Sequence, residues 1–322
     1  MSGRATVTPA QAAAEHRVRQ LLDAGDLDLP DPGCGETRAR FTALHRLAAT
    51  EDLSVARLVE AHCDAAAIAH EAGRSLPPGA FAGVWASKFR GSGIIARPDG
   101  DGWRLTGTLR FCSGAPMLDV ALVDARIDGG IGEHQLFLVP LGDGGVHVDT
   151  DSWASAGLAA TATGGVDLDV RVDDAAPIGA SGYYLDRPGF WHGAVGVAAC
   201  WAGGAEGVHA AALRTARDDD PHAVANIGRS SAACWAMTAV LDQAADEIDR
   251  HPERPAMPMA LTVRHLLAAN CRDVIDAVQR ATGPGPFAFD RDFAQRVADV
   301  RLYIEQHHHE ADLAEIGRAA LA

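Results

Sequence analysis

The order in which hydrophobic periodicities follow one another along the chain limits its fold more than any other feature. Residues 8–75 repeat their apolar positions at the three- to four-residue spacing of a helix. Residues 80–180 consist of short β-type runs separated by Gly, Asp and Pro turns, and residues 189–320 return to long helical segments. Helices, then strands, then helices again predict an α+β architecture rather than an alternating β–α sheet.

The first region carries the usual signals of helix ends. Thr8 is a candidate N-cap and Pro9 suits the first helical position, while Gly73 follows the last helical residues. Between the first two helical segments, residues 26–35 read DLDLPDPGCG and predict a loop.

The middle and last regions predict one domain each. In the middle, PDGDGW at residues 98–103 predicts a tight hairpin, and six or more short strands predict a central antiparallel barrel or sandwich. The last region has four long amphipathic segments, which predict a C-terminal four-helix bundle. The resulting domains are an N-terminal helical domain at 1–78, a β-domain at 79–185 and the bundle at 186–322.

One Gly/Ala-rich stretch, GAVGVAACWAGGAEG at residues 193–207, lies in the first helix of the bundle. Small side chains let two backbones approach closely. We therefore expect this helix to pack against a neighbouring helix or a second subunit.

The charge of the chain excludes two classes of partner. Its net charge is −15 and its pI is about 5.3, whereas nucleic acids and anionic membrane surfaces require clustered positive charge. The basic residues are almost all arginine, and the single lysine, Lys88, indicates a compositional bias rather than a binding device.

Cysteine usage and the N-terminal residues indicate the compartment. Six scattered cysteines form neither a C-x-x-C pair nor a Cys/His cluster, so neither a disulfide framework nor a metal site is predicted. Residues 1–20 lack the apolar segment of a signal peptide, and no apolar run reaches the length of a membrane span. We expect a cytoplasmic protein.

Three motifs in the middle and last regions resemble those of one enzyme family. They are GDGWRLTGTLRFCSGA at residues 100–115, QLFLVPLGDGGVHVDT at 135–150 and DAVQRATGPGP at 276–286. Their order and spacing resemble the acyl-CoA dehydrogenase superfamily, in which helices, a β-domain and a four-helix bundle follow in this order. The chain resembles a divergent and shortened member over about residues 40–320.

The resemblance implies a flavin cofactor, FAD first and FMN as an alternative. Phe111, Cys112 and Ser113 match the family segment beside flavin N5, so Phe111 would cover the ring face and Ser113 would supply a hydroxyl. A flavin needs such an apolar slot together with hydrogen-bond partners for its ring. The alternative is that RFCSGA only ends a strand at a polar turn.

Two further segments match flavin-binding loops of the family. Gly91 and Ser92 match the end of its TExxxGSD loop. Gln279, Thr282 and Gly283 match its QxxGG loop, which contacts the adenine end of the flavin across a dimer interface. The same three residues also suit a helix C-terminus, with Gly283 as the cap.

One departure argues against a standard FAD site. The family's arginine for the FAD pyrophosphate is missing from residues 218–228, where Asp218, Asp219 and Asp220 would repel phosphate.

The histidines His307, His308 and His309 lie in what reads as an ordinary amphipathic helix. In the family, the Glu that removes the substrate α-proton stands eight residues after an Asp. Counted from Asp299, that position is His307, a slip of one residue selects His308, and Glu305 falls two residues short. A metal site is not expected, because consecutive helical side chains diverge by about 100°. A solvated helix face is the alternative.

Flavin-dependent monooxygenases of the same fold are similar in this respect, because they often carry His where that Glu would be. An imidazole with a pKa near 6.5 can act as a base toward a phenol or as a proton donor. His192, flanked by Phe190 and Trp191, is a further candidate catalytic residue, with a core or capping role as the alternative.

These observations leave three hypotheses for the function. The first is a flavin-dependent oxidoreductase of the family, acting on a small molecule or an acyl thioester. The second is a monooxygenase that uses reduced flavin and oxygen, and the third is a degenerate, non-catalytic subunit. The resemblance also implies a homodimer or homotetramer, and an electron-transfer flavoprotein or a flavin reductase as partner.

Overall fold

Ten α-helices and eight strands make up the part of the chain that the computed structural model describes, residues 7–130, 132–142 and 144–321. The helices are α1 (Pro9–Asp23), α2 (Thr37–Thr50), α3 (Leu53–Glu71), α4 (Tyr183–Asp186), α5 (Gly189–Leu213), α6 (Pro221–Arg250), α7 (Met257–Thr282), α8 (Gly285–Phe289), α9 (Arg291–Tyr303) and α10 (Glu310–Leu321). The strands are β1 (Ala82–Trp85), β2 (Gly93–Asp99), β3 (Gly102–Cys112), β4 (Val120–Ile127), β5 (His134–Pro140), β6 (Val146–Asp149), β7 (Gly164–Asp173) and β8 (Pro177–Ile178).

These elements belong to two units. The first unit comprises residues 7–28, 61–155 and 159–190, and the second comprises residues 29–60, 156–158 and 191–321. The division into three domains drawn from the sequence stays a prediction.

The N-terminal helix begins where the sequence predicts. Thr8 and Gln11 form a capping box, in which the N–H of Gln11 donates to Thr8 Oγ1 at 3.3 Å and the N–H of Thr8 donates to Gln11 Oε1 at 2.8 Å. Pro9 follows at the first helical position, where its missing N–H costs no hydrogen bond.

The first unit is built on one eight-stranded sheet, with the strand order β6-β7-β3-β2-β4-β5-β8 and β1 beside β4. The predicted hairpin is confirmed, because Asp99 of β2 pairs with Gly102 of β3. The α+β fold class is confirmed as well, but the sheet is mixed rather than purely antiparallel, since β1 and β2 both run parallel to β4. Strand direction depends on pairing between distant segments, which local periodicity does not record.

β1 and β2 both pair with β4, and this pairing determines where the loop between them lies. β1 ends with Trp85 opposite Val123, and β2 begins its pairing with Ile94 opposite Ala125. Residues 86–92 therefore connect two strands that continue almost end to end along β4, and together with Gly93, the first residue of β2, they form the 86–93 loop. The loop has to leave the sheet and return.

In the second unit, helices α5, α6, α7 and α9 pack together as a bundle. Cys271 of α7 contacts Met237 of α6 at 3.6 Å, and Trp201 of α5 meets Tyr303 of α9 edge to face. The Gly/Ala-rich stretch of α5 lies against the chain's own helices, since a Cβ at Gly203 would overlap the carbonyl oxygen of His45 in α2. The stretch is thus explained by a neighbouring helix and gives no support to the predicted oligomer.

The prediction of one continuous helix through the three histidines is wrong. α9 ends at Tyr303, a short 3-10 turn follows, and His307 is extended with ψ 125°. His309 has a left-handed φ of 48° before α10 begins at Glu310. The buried carboxylate of Asp312 accepts a hydrogen bond from the His308 N–H at 2.9 Å. This bond replaces the helical hydrogen bond that the His308 N–H would otherwise make.

Candidate functional site

A cleft of about 470 Å³ opens in the first unit beside the 86–93 loop. Gly91 and Ser92, two of the predicted flavin-binding residues, lie in its wall together with Phe89. Gly91 has φ +80° and Gly93 has φ +154°, and a Cβ on either would meet no heavy atom within 4 Å. The glycines therefore let the loop turn and leave its backbone accessible to a ligand.

Polar side chains from two strands complete the wall of the cleft. Arg126 of β4 lies opposite His134 of β5, and Asp124 is on the same face of β4, two residues earlier. His134 Nδ1 lies 2.8 Å from a carboxylate oxygen of Asp124, and Lys88 of the loop also faces the cleft. The sequence indicated only a compositional bias for Lys88 and predicted no role for Asp124, Arg126 or His134. Asp124 and Arg126 are two residues apart in β4, and this spacing is the signal that places both on one face.

Phe111 projects from a distortion of the sheet. The pairing of β3 with β7 shifts register between Leu109 and Cys112, and Phe111 takes a left-handed φ of 59°. Its side chain is 55% exposed and makes edge-to-face contacts with Phe89 at 5.7 Å and Trp153 at 6.2 Å between ring centroids. A bulky residue in this backbone region is strained, and such strain is concentrated at functional sites. Phe89 links this aromatic patch to the cleft.

The two residues after Phe111 differ in what they can offer to a ligand. The Cys112 side chain is fully buried, and burial raises the pKa of its thiol, so only its backbone can face a cofactor. The Ser113 hydroxyl accepts a hydrogen bond from Thr163 Oγ1 at 3.1 Å, and the Ser113 carbonyl accepts one from Trp85 Nε1 at 3.2 Å. Ser113 is held in place and keeps a hydroxyl proton to donate.

The other predicted cofactor-binding residues are in the second unit, at the end of α7. Gly283 has φ 66° and its N–H donates to the Gln279 carbonyl at 3.0 Å, while Thr282 Oγ1 donates to the Val278 carbonyl at 3.0 Å. These contacts are those of a helix C-terminus. Gln279 also lines a depression of about 260 Å³ with Asp276 and Arg280.

Because of the break between α9 and α10, the three histidines differ in solvent exposure. His307 is 1% exposed, whereas the side chains of His308 and His309 are 77% and 44% exposed. The His309 N–H donates to His307 Nδ1 at 3.2 Å. His307 Nε2 has no hydrogen-bond partner among the described residues, and the Asp312 carboxylate lies 3.8 Å away. Burial lowers the pKa of His307, and Asp312 opposes this shift.

Glu305 is the nearby carboxylate that could replace a missing catalytic Glu. It is half exposed and is bound by Arg272 at 3.1 Å and by His309 Nε2 at 2.8 Å. Burial alone would raise the pKa of Glu305, but the hydrogen bonds from His309 and Arg272 lower it. A carboxylate with a lowered pKa is a weaker base.

A buried cation lies next to the histidine break and was missed by the sequence analysis. Arg264 of α7 sits over the Trp201 ring at 4.5 Å and donates to the carbonyls of Ala194 and Gln306 at 2.8 Å each. Burial lowers its pKa to about 10. Because Gln306 directly precedes His307, this arginine ties the turn that carries His307 to α7.

His192 is also buried, at 2% exposure in α5. Its ring lies against the loop that the sequence predicts at residues 26–35, since a Cβ at Gly33 would be 3.5 Å from His192 Nδ1. The structure therefore places His192 in a packed environment of the second unit.

The described residues contain no cluster of three or more His, Cys, Asp or Glu side chains arranged to hold a metal ion. Every helix in the described ranges is too short or too polar to span a lipid bilayer.

The sequence matches no known protein-family profile and no curated protein. Solved structures are nevertheless similar over almost the whole chain. FMN-bound TdsC from Paenibacillus sp. A11-2 has a TM-score of 0.77 at 17% identity, covering 96% of this chain and 95% of TdsC. Nitrososynthase from Micromonospora carbonacea var. africana has a TM-score of 0.78 at 18% identity, covering 98% of both chains. The acyl-CoA dehydrogenase of Slackia heliotrinireducens DSM 20476 has a TM-score of 0.72 at 14% identity, covering 98% of this chain and 97% of the dehydrogenase. The chain described here therefore has the acyl-CoA dehydrogenase-like fold.

Proposed function

We propose that this protein is a flavin-dependent monooxygenase, which uses reduced flavin and oxygen to oxidise a small molecule. The fold is shared with TdsC, a dibenzothiophene monooxygenase that binds FMN, and with a nitrososynthase. It is shared equally with an acyl-CoA dehydrogenase, so the choice between the two reactions depends on side chains of this chain.

The observation that favours the monooxygenase is the contrast between His307 and Glu305. A dehydrogenase needs a carboxylate base for the α-proton of a thioester, but Glu305 is half exposed, is held by Arg272 and His309, and has a lowered pKa. His307 is buried and neutral, with an Nε2 atom that no described residue engages in a hydrogen bond. A buried neutral imidazole whose Nδ1 already accepts a hydrogen bond presents its N–H as a hydrogen-bond donor, and it is poorly suited to remove a carbon-bound proton.

The residues of the first unit fit a flavin. The exposed ring of Phe111, supported by Phe89 and Trp153, offers an apolar face for a flat ring system. Ser113 offers a hydroxyl proton, and the backbone at Cys112 and Ser113 lies at the same bulge. Bound flavin would supply the electron-transfer chemistry that these side chains lack.

We take FMN in preference to FAD. FAD carries a second phosphate that needs a cation, and Arg217, the arginine closest in sequence to the acidic run, is in an ion pair with Asp219 at 3.1 Å. Asp218, Asp219 and Asp220 make this part of the second unit negative. FMN carries a single phosphate, so it does not need a cation for a second one.

Reduced flavin must be supplied from outside, so we propose a flavin reductase as the partner rather than an electron-transfer flavoprotein. A homodimer or homotetramer is also proposed. Trp235 of α6, 76% exposed on the bundle, is the large apolar side chain that we expect a second subunit to cover.

The test uses purified protein and a commercial flavin reductase. We expect FMN to bind with a change in its visible spectrum, and bound reduced FMN to consume oxygen. Ser113→Ala should weaken FMN binding by about 0.5–1.5 kcal/mol, as expected for one lost hydrogen bond. Reduction of the bound flavin by an acyl-CoA, with no response to oxygen, would establish the dehydrogenase instead. Failure to bind any flavin would leave the non-catalytic subunit as the correct interpretation.

A further inference from the structure

The cleft beside the 86–93 loop carries positive charge that the rest of the chain does not neutralise. Five arginines of the first unit are in ion pairs with carboxylates: Arg19, Arg97, Arg104, Arg171 and Arg187. Lys88 and Arg126 line the cleft, and neither has a carboxylate partner among the described residues. Arg90 and Arg110 of the same unit also have no carboxylate partner in the described part of the chain, but Lys88 and Arg126 are the two cations that share one cleft.

Among the described residues that line the cleft, Asp124 is the one carboxylate, and it is already engaged. Asp124 lies 2.8 Å from His134 Nδ1, and its side chain is only 10% exposed. This contact leaves Lys88 and Arg126 as the groups that face a ligand. They come from different elements, the loop and β4, so an anion between them would be held from two sides.

We propose that this cleft binds the phosphate group of a phosphorylated small molecule. Arg offers a fork of N–H donors that matches phosphate oxygens, and Lys adds a compact charge. The open glycines of the loop, Gly91 and Gly93, let a ligand approach the backbone, and the volume of about 470 Å³ suits a ligand larger than a free anion. The phosphate is either that of the flavin itself, which rests on the proposed function, or that of a phosphorylated substrate.

The experiment measures binding and needs no turnover. FMN and riboflavin, which differ only in the phosphate, are titrated by flavin fluorescence, and inorganic pyrophosphate is titrated by calorimetry. The test variant is Lys88→Met with Arg126→Gln. The control is Arg104→Gln with Arg171→Gln, which removes the same charge from exposed ion pairs of the same sheet.

If the flavin phosphate occupies the cleft, wild type and control prefer FMN to riboflavin, and the test variant loses at least about tenfold in FMN affinity for each cation. Riboflavin affinity stays the same. If a substrate phosphate occupies it, the FMN preference survives but pyrophosphate binding is lost in the test variant alone. The proposal would be overturned if FMN and pyrophosphate each bound the test and control variants with the same affinity. It would also be overturned if neither FMN nor pyrophosphate bound any of the proteins. If the protein binds no flavin, the proposed function is refuted. The phosphate site can still be tested in that case, because pyrophosphate binding is measured without flavin.

Discussion

The backbone N–H of His309 donates to His307 Nδ1 at 3.2 Å, and this contact determines where the imidazole carries its proton. Since Nδ1 is the acceptor, the neutral ring holds its hydrogen on Nε2. The same atom has no hydrogen-bond partner in the described part of the chain. His307 can therefore donate a hydrogen bond from Nε2 to a ligand. The left-handed backbone of His309, with φ 48°, is what turns its N–H toward His307 Nδ1.

The first prediction concerns this donor. His307→Ala should slow the reoxidation of bound reduced flavin by oxygen, or substrate turnover, by about 10²–10³, the usual cost of losing one preorganised hydrogen-bond donor. His307→Gln, which keeps an N–H donor, should recover part of the rate. His308→Ala, Glu305→Gln and His309→Ala should have smaller effects. Flavin absorbance in a stopped-flow instrument gives the rate, and circular dichroism checks folding. Equal rates for His307→Ala and His308→Ala would refute the role of His307.

The second prediction concerns pH and stability. Asp299 of α9 is 2% exposed, and burial raises its pKa to about 6, against opposing hydrogen bonds from the Leu158 N–H at 2.6 Å and Gln295 at 2.7 Å. The folded state therefore holds its proton more tightly than the unfolded state, whose carboxyl has the ordinary pKa of 3.8. The contribution of Asp299 to stability is fully present below the unfolded pKa and is lost as pH rises to the folded value.

Asp299→Asn mimics the protonated carboxyl. The difference in free energy of unfolding between the variant and the wild type should therefore grow as pH rises and then level off. The free energies of unfolding should be similar near pH 4 and should differ by up to about 2–3 kcal/mol, in favour of the variant, near pH 7. Urea unfolding at several pH values measures this. A gap that does not change with pH would show that the hydrogen bonds to Leu158 and Gln295 keep the carboxylate charged.

The third prediction tests the packing of the Gly/Ala-rich helix with two matched glycines. Gly203→Ala should destabilise the protein by about 1–3 kcal/mol or more, because the new methyl group would overlap the carbonyl of His45. Gly228→Ala, in α6 with no heavy atom within 4 Å of the new Cβ, should stabilise it by about 0.5–1 kcal/mol through helix propensity. Thermal unfolding compares the two. A neutral Gly203→Ala would mean that α2 does not pack on α5 as closely as described.

The fourth prediction separates strain from function at Phe111. Phe111→Gly and Phe111→Ala both remove the ring and should weaken flavin binding to a similar extent, because the apolar face is lost. Only Gly adopts a φ of 59° without steric cost, so the Gly variant should be more stable than the Ala variant by about 1 kcal/mol. Flavin titration and urea unfolding give the two quantities. Unchanged flavin affinity in both variants would remove Phe111 from the proposed cofactor site.

Local patterns in the sequence were sufficient for much of the architecture. The capping box at Thr8 and Gln11, the hairpin at Asp99 and Gly102, and the helical stretches of the bundle all depend on neighbours within a few residues. Capping, tight turns and hydrophobic periodicity are properties of such short segments. The order of the three regions then limited the fold to one that the solved structures share.

Only the tertiary structure decided which of these residues can act together. The parallel pairing of β1 and β2 with β4 projects the 86–93 loop, and the pairing of β4 with β5 puts Arg126 opposite His134. Likewise, three adjacent histidines look alike in sequence, yet one is buried, one is exposed and one is half-buried, because a buried Asp312 and a left-handed His309 interrupt the helix. Burial, strand pairing and backbone breaks result from contacts between residues far apart in the chain, and a local pattern carries no record of such contacts.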